Sequence, residues 1–410
     1  MAYQAPVEEI LFALKSAADL PQLIESGVYD GLDEDTVRAI IEEAGKFGTD
    51  VLDPLNRIGD TSGATLADGH VTTAAGWPDA YARFCEGGWN GLTGPESGGG
   101  QNLPGLVASA TTEIWNASNL AFALCPLLTM GAIDALIAHG SKDLVETYLP
   151  KLVSGEWPGT MNLTEPHAGS DVGALRTKAE PQGDGTYKLY GTKTFITYGD
   201  HDLTENIIHM VLARLPDAPE GTRGISLFLV PKVLVNPDGS LGERNDVVTA
   251  NVEHKLGIHG SPTCTLKYGE NGGAIGYLVG EENRGLNVMF IMMNAARLGV
   301  GLQGVAVADR ATQQALAYAN ERTQGRGPKA KRGEMSSIVE HADIRRTLMT
   351  MKSLTQAARM ICVVAARELD LAERGTSKEQ RLQSEMRGAL LTPVAKAFST
   401  DIGVEVASMG

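Results

Sequence analysis

Residues 161–174 (MNLTEPHAGSDVGA) combine residue types at a spacing that could bind an anion. A short apolar run opens into a turn that contains proline and glycine together with Thr164, Ser170 and Asp171. Such a turn can direct several backbone N–H groups and two hydroxyls at one negatively charged group. The same residues could instead form an ordinary strand-to-loop connection, in which Ser170 and Asp171 bond their own backbone. The residues alone leave both interpretations open.

The elements that must position this turn belong to a large globular chain. Its 410 residues, 43% of them hydrophobic, can bury a core that spans more than one unit. The formal charge of −15 disfavours non-specific binding to nucleic acid or to anionic membranes. The four cysteines contain no C-x-x-C pair, which favours free thiols in a reducing compartment, the cytoplasm by default. We expect no membrane span, because no apolar run approaches about 18 residues.

Helical and strand patterns occupy separate zones of the chain. Apolar residues recur at helical spacing in a first zone, where we expect helices over 7–24, 33–55, 76–87, 103–124 and 130–139. A middle zone has short runs rich in β-formers over 187–197, 207–215 and 224–235. Helical spacing returns over 285–321, 336–374 and 378–408, with an exposed, glycine-rich basic loop expected at 323–334. No G-x-G-x-x-G follows a strand and no Walker A motif is present.

This order predicts an α+β multidomain fold. The predicted parts are an N-terminal helical extension over 1–32, an N-terminal helical domain over 33–157, a middle β-barrel or sandwich domain over 158–283 and a C-terminal helix bundle over 284–410. We expect the bundle to be incomplete, because the last residues (VEVASMG) end a helix with apolar side chains and no polar tail.

A signature-like segment and four further ordered motifs resemble the acyl-CoA dehydrogenase family. The segment TEP-x-AGSD over 164–171 is similar to the family signature. Residues 148–152 (YLPKL) with 154–156 (SGE) precede it, and 191–197 (GTKTFIT) follow it. Residues 255–261 (KLGIHGS) and 321–325 (ERTQG) complete the series. The N-terminal helix before Asp33 and the long insertions at 199–223 and 236–246 resemble a larger subgroup that includes 3-methylmercaptopropionyl-CoA dehydrogenases and carries an additional C-terminal domain.

The resemblance implies FAD as cofactor and assigns a role to particular residues. The cofactor-binding residues it implies are Met161, Leu163, Thr164, Gly169, Ser170, Phe195, Ile196, Thr197, Arg322 and Gln324. Phe195 and Thr197 would flank the flavin, with Phe195 where many members have Trp, while Arg322 and Gln324 would reach the FAD of a neighbouring subunit. A core position is the ordinary alternative for Phe195. Ser170, Asn294 and Arg297 would contact the substrate, and a surface salt bridge is the ordinary alternative for Arg297.

The resemblance implies two positions for the catalytic base, and these 410 residues have a glutamate at neither. The family's usual base is a glutamate in a glycine-rich turn, which we expect after Gly410. A second family arrangement places glutamate directly before the arginine matched by Arg297, where this chain has Ala296. We expect Glu165 to be structural, and no metal site. The sequence therefore predicts no catalytic residue within these 410 residues.

The resemblance implies α,β-dehydrogenation of a short acyl-CoA to the enoyl-CoA, with 3-(methylthio)propanoyl-CoA as a candidate substrate. It further implies electron transfer to an electron-transfer flavoprotein and a homodimer or homotetramer. Two alternatives remain open: an acyl-CoA oxidase of the same fold, and a non-catalytic FAD- or acyl-CoA-binding protein.

Overall fold

The computed structural model describes residues 2–328, 331 and 333–410. The α-helices of these residues are α1 (Val7–Ser16), α2 (Leu20–Glu25), α3 (Glu34–Phe47), α4 (Asp53–Ser62), α5 (Trp77–Glu86), α6 (Gly105–His139), α7 (Lys142–Ser154), α8 (Gly285–Glu321), α9 (Ala342–Arg374) and α10 (Lys378–Met409). The strands are β1 (Thr65–Ala67), β2 (His70–Thr72), β3 (Gly159–Asn162), β4 (Lys178–Pro181), β5 (Tyr187–Thr197), β6 (Ile208–Ala213), β7 (Ser226–Pro231), β8 (Val233–Val235), β9 (Leu241–Arg244), β10 (Val247–Val252), β11 (Thr263–Tyr268) and β12 (Ala274–Val279).

The chain forms two compact units. The first contains residues 1–54, 104–120 and 297–410, and the second contains residues 55–103 and 121–296. Helices then sheet then helices is the element order that the sequence predicts.

The first unit is helical and encloses a charged cluster. Arg359 on α9 is fully buried and donates from Nη2 to Glu113 Oε1 at 2.7 Å. The same guanidinium lies 3.4 Å from Asp309 Oδ1 and 3.5 Å from Glu9 Oε2. Burial raises the pKa of Asp309 to about 6, against the attraction of Arg359. One arginine therefore lies among carboxylates from three other helices of this unit and compensates part of their charge.

The second unit contains a mostly antiparallel eight-stranded sheet. The strand order is β10-β11-β5-β12-β7-β6-β3, with β4 on β5, and only β3 and β6 pair in parallel. Tyr268 on β11 donates its hydroxyl to Asn162 Oδ1 on β3 at 2.9 Å. Because these strands are far apart in the strand order, the sheet must curl over a common interior. This agrees with the barrel or sandwich predicted for the middle zone.

Two helices begin directly after a residue whose side chain caps the first turn. Asp33 accepts from the Thr36 amide at 2.7 Å, and Ser141 accepts from the Leu144 amide at 3.4 Å. Both residues begin helices by satisfying an amide that has no partner within the helix.

Four predicted helices differ from the observed ones. The helix expected over 7–24 is two helices, because Asp19 has a left-handed φ of 54° and Pro21 has no N–H to continue the first. The helices expected over 103–124 and 130–139 are one element, α6, which contains Pro126 and is kinked at Asn119. The helix expected from 336 begins at Ala342. The loop at 323–334 is non-helical over its described residues, while Lys329, Ala330 and Arg332 lie outside them.

Two helices are apolar enough by length and composition to cross a membrane, Gly105–His139 and Gly285–Glu321. In their most apolar windows, 67% and 50% of the residues are buried in the protein. Burial of this kind is typical of core helices, so these two helices are weak evidence for a membrane span. Within the described ranges, no group of three or more His, Cys, Asp or Glu side chains could hold a metal ion.

We expect Arg359→Met to destabilise the first unit by about 3–5 kcal/mol at neutral pH, because it leaves buried carboxylates without their cation. The loss should be smaller at pH 5, since protons can neutralise those carboxylates. Denaturant unfolding at both pH values measures this. The exposed pair Arg38 and Glu8 supplies the control, and Arg38→Met should cost at most about 1 kcal/mol. Equal losses in the two variants would contradict the structural role of the cluster.

Candidate active site

A buried ion pair holds the signature turn, which we define as residues 161–170. Lys193 on β5 is fully buried, and its Nζ donates to Glu165 Oε1 at 2.9 Å and to the Leu163 carbonyl at 3.0 Å. The Glu165 carboxylate also accepts from the Thr177 hydroxyl at 2.6 Å and from the Arg176 amide at 2.7 Å. Its many donors confirm the structural role expected for Glu165.

Both members of this pair are charged at neutral pH. Burial opposes ionisation of Glu165, but the attraction of Lys193 and the hydrogen bonds from residues 176 and 177 outweigh it and lower the pKa of the carboxyl. Burial lowers the pKa of Lys193 to about 8, despite the neighbouring carboxylate. A carboxylate held in this way is a poor acceptor for a substrate proton.

The signature turn is closed by main-chain bonds. The amide of Glu165 donates to the Ala168 carbonyl and the amide of Ala168 donates to the Glu165 carbonyl, each at 3.0 Å. The Thr194 amide donates to the Thr164 carbonyl at 2.9 Å, so β5 runs beside the turn. A Cβ placed on Gly169 would meet only the Thr164 methyl within 4 Å, at 3.7 Å. The surface over Gly169 is therefore open.

A β-bulge places the ring of Phe195 on the surface. Pairing between β5 and β11 moves from Ile196 with Cys264 to Lys193 with Leu266, so β5 has an extra residue at this point. Phe195 has a left-handed φ of 59° and its side chain is 63% exposed. Bulges of this kind re-aim a side chain out of the regular alternation. The core position considered for Phe195 is therefore wrong.

Three hydroxyls of the signature turn and the end of β5 are available for a ligand. Within the described part of the chain, the side chains of Thr164, Ser170 and Thr197 make no hydrogen bond. Thr164 and Thr197 are half-buried and Ser170 is exposed. The exposed ring of Phe195 and these three hydroxyls are therefore groups without an assigned partner within the described residues.

The remaining predicted residues of the turn are mainly structural. Met161 and Leu163 are half-buried and pack against the apolar core. Ile196 is 2% exposed and lies in the sheet interior, which leaves only its main chain for a cofactor. Asn162 is fully buried and donates to Thr160 Oγ1 at 2.9 Å.

Four other predicted residues lie in different elements. Asn294 and Arg297 are three residues apart on α8, so they share one face of that helix. Arg322 and Gln324 follow the end of α8, and Arg322 Nη2 donates to Gln324 Oε1 at 3.0 Å. Arg297, Arg322 and Gln324 belong to the first unit and the signature turn to the second.

A basic cavity of about 730 Å³ in the second unit was missed by sequence reasoning. It is lined by Pro219, Thr222, Arg223, Asn283, Arg284, Leu286, Asn287 and Phe290. Arg223 and Arg284 are exposed, and neither forms an ion pair with any described residue. Asn283 Oδ1 is buried without a described hydrogen-bond partner. These groups could bind an anion. The sequence did not predict this cavity, because its lining residues lie in two segments that are far apart in the chain and form no motif.

Arg214 joins this cavity to the segment that follows the signature turn. Its guanidinium donates to the carbonyls of Pro219 and Leu175 at 3.0 Å each, of Gly221 at 2.7 Å and of Gly173 at 2.5 Å. One side chain thus fixes the loop on one wall of the cavity against residues 173–175.

Comparison with known proteins identifies the family. Models described as the N-terminal, middle and C-terminal domains of acyl-CoA dehydrogenase match residues 35–156, 160–270 and 283–409. The chain belongs to the acyl-CoA dehydrogenase family.

Curated relatives and solved structures resemble nearly the whole chain. The 3-methylmercaptopropionyl-CoA dehydrogenase of Ruegeria pomeroyi is 48% identical over 100% of this chain and 69% of its own length. A butyryl-CoA dehydrogenase of Syntrophomonas wolfei is 36% identical over 98% of this chain and 67% of its own length. Caenorhabditis elegans ACDH-11 in complex with C11-CoA has a TM-score of 0.79 at 22% identity, over 100% of this chain and 66% of its own. The chain thus spans about two thirds of the length of these relatives.

These comparisons confirm the predicted family, subgroup and fold class, and the family's cofactor is FAD, as the sequence predicts. The residues present fit that cofactor, because an exposed phenyl ring can pack against a planar ring system and side-chain hydroxyls without described partners can bond its polar edge.

We expect Glu165→Gln to cost about 3–5 kcal/mol of stability and to reduce the FAD retained on purification, because Lys193 stays buried without its counter-charge. Thermal unfolding and the ratio of flavin to protein absorbance measure the two effects. The exposed pair Lys151 and Glu156 provides the control, and Glu156→Gln should change stability by at most about 1 kcal/mol. If Glu165→Gln behaves like Glu156→Gln, the pair does not hold the turn.

Proposed function

We propose that these 410 residues bind FAD and a short acyl-CoA for α,β-dehydrogenation of the thioester. The proposal is supported by one observation above the others: Phe195 is exposed, and the side-chain hydroxyls of Thr164, Ser170 and Thr197 make no hydrogen bond within the described part of the chain. The first candidate substrate is 3-(methylthio)propanoyl-CoA, because a relative that is 48% identical is a 3-methylmercaptopropionyl-CoA dehydrogenase.

In this proposal the signature turn and the end of β5 hold the cofactor. Bound FAD would supply the acceptor for the hydride that leaves the β-carbon. Phe195 contributes an apolar face for a planar ring, and Thr164 and Thr197 contribute hydrogen bonds to its polar edge. The main chain of Gly169 allows close approach, since no Cβ stands there. Met161, Leu163 and Ile196 support these residues from the core side.

Ser170 remains a proposed contact of the acyl-CoA. Asn294 and Arg297 remain the proposed substrate residues on α8. We add Arg223 and Arg284, because CoA carries phosphates and these arginines line a cavity without described counter-ions. Arg214 gives this cavity a fixed position relative to residues 173–175.

No carboxylate of the chain is proposed as the α-proton base. The Glu165 carboxylate forms an ion pair with Lys193. Glu281 and Glu282 are exposed and precede α8. Residue 296, the alternative family position, is alanine.

Several wider properties remain part of the proposal. They are the four-part division at residues 32, 157 and 283, transfer of electrons to an electron-transfer flavoprotein, assembly as a homodimer or homotetramer, and a cytoplasmic location. Arg322 and Gln324 are proposed to reach the FAD of a neighbouring subunit, which their exposure permits. An oxidase of the same fold is the second candidate, since use of oxygen depends on access to bound flavin.

We expect the 410-residue chain to take up FAD and become yellow, but not to be bleached by 3-(methylthio)propanoyl-CoA without oxygen, because no base is assigned. Anaerobic absorbance titration measures this. Bleaching would place a base within the chain, and recovery of colour in air without another acceptor would then favour the oxidase. A protein that stays colourless with added FAD would contradict the cofactor site.

Replacing Arg223 or Arg284 by Gln should weaken CoA binding about tenfold or more, because a charged hydrogen bond contributes about 1.5–3 kcal/mol. Isothermal titration of the FAD-loaded protein with CoA measures the change. Arg244→Gln removes an exposed arginine of β9 that does not line the cavity, and it should bind CoA as the parent does. Unchanged affinity in both cavity variants would remove them from the CoA site.

A further inference from the structure

Residues 195–198 contain two aromatic residues in an unfavourable backbone conformation. Phe195 has a φ of 59° and Tyr198 a φ of 50°. A left-handed conformation costs a bulky L-residue about 1–2 kcal/mol. Such conformations persist where the surrounding structure imposes them, and they concentrate at functional sites. The contacts of these two residues therefore decide what the segment does.

The two aromatic side chains have opposite environments. Phe195 is 63% exposed, whereas Tyr198 is 1% exposed. The Tyr198 hydroxyl donates to the Ala121 carbonyl of α6 at 2.8 Å and accepts from Trp77 Nε1 at 3.1 Å. Its amide donates to the Pro262 carbonyl at 2.7 Å. Tyr198 is thus fixed to three other segments of the second unit.

Trp77 makes this anchor rigid. Its side chain is fully buried, and its ring lies so close to Gly59 and Gly260 that a Cβ on either would clash with it. The indole N–H has the Tyr198 hydroxyl as its hydrogen-bond partner. Loss of that hydroxyl would leave a buried donor without an acceptor, which favours movement of the ring or of Tyr198.

The backbone between the two aromatic residues has little freedom to absorb such a movement. Ile196 pairs with Cys264 and Thr197 pairs with Thr263 across β5 and β11. The Gly199 amide closes a turn onto the Ile196 carbonyl at 3.1 Å. A displacement of Tyr198 must therefore be transmitted to the bulge at Phe195.

We propose that Tyr198 is a positioning residue for the flavin, acting through Phe195. Its buried hydroxyl holds the end of β5 so that the bulge keeps the Phe195 ring exposed and in one orientation. This inference rests on the proposed function, because it assigns the occupant of the exposed ring as FAD. Tyr198 itself is buried and touches neither cofactor nor substrate in this assignment.

The test compares Tyr198→Phe with Tyr81→Phe. Tyr81 is also buried, at 2% exposure, and its hydroxyl donates to the Gly155 carbonyl at 2.9 Å, which is not one of the hydrogen-bond partners of Tyr198. Both variants lose buried hydrogen bonding, so both should lower the melting temperature. Only Tyr198→Phe should weaken FAD binding, by about five- to tenfold, and change the visible circular dichroism of the bound flavin.

A second comparison tests whether Tyr198 affects FAD binding through Phe195 or through a general loss of structure. In a Phe195→Leu background, Tyr198→Phe should weaken FAD binding by less than twofold more, because the group it positions is already absent. Trp77→Phe removes one of the two hydroxyl contacts and should reproduce part of the effect if Tyr198→Phe does not fold. Full additivity, or a flavin signal in Tyr198→Phe no different from Tyr81→Phe, would overturn the inference. Failure of the parent chain to bind FAD would instead overturn the proposed function.

Discussion

The buried pair of Glu165 and Lys193 is the interaction on which the candidate site depends. Burying two charges is expensive, and the pair is tolerated only because its remaining hydrogen-bonding capacity is used. Lys193 bonds a carbonyl of the turn, and Glu165 collects donors from residues 176 and 177. The pair thus joins three segments that are separated in the sequence. Any movement of one segment would leave a buried charge without its partner.

Because the pair holds these segments, the site can keep exposed apolar and polar groups that have no described partner in the protein. Around the pair, an aromatic ring is turned out of the sheet at Phe195 and hydroxyls are left without described partners. Features of this kind lower stability in an isolated protein, and they are useful where a ligand completes them. The basic cavity shows the same contrast. Arg214 donates to backbone carbonyls, whereas Arg223 and Arg284 line the cavity and could bind an anion. Fixed and available groups are thus divided between different side chains.

Much of the fold could be predicted because it depends on local signals. Asp33 and Ser141 cap helices where the sequence indicates, and the β-rich runs form strands β5, β6 and β7. The kink of α6 at Asn119, with a continuous helix through Pro126, could not be predicted, because tertiary packing overrides the preference of proline. The signature turn was found through its motif, but its anchor was not. Nothing in the residue pattern indicates that Lys193 reaches Glu165, or that a bulge exposes Phe195, since both depend on the register of β5 with β11.

The central claim is that the signature turn and the end of β5 form one preorganised FAD-binding surface. Hydrogen exchange of the 410-residue chain, measured with and without FAD, tests it most directly, because it reports on each segment separately. The account predicts that FAD slows exchange of amides in residues 161–170 and 194–198 together. Equal exchange in these two segments with and without bound FAD, or protection confined to other parts of the chain, would contradict it.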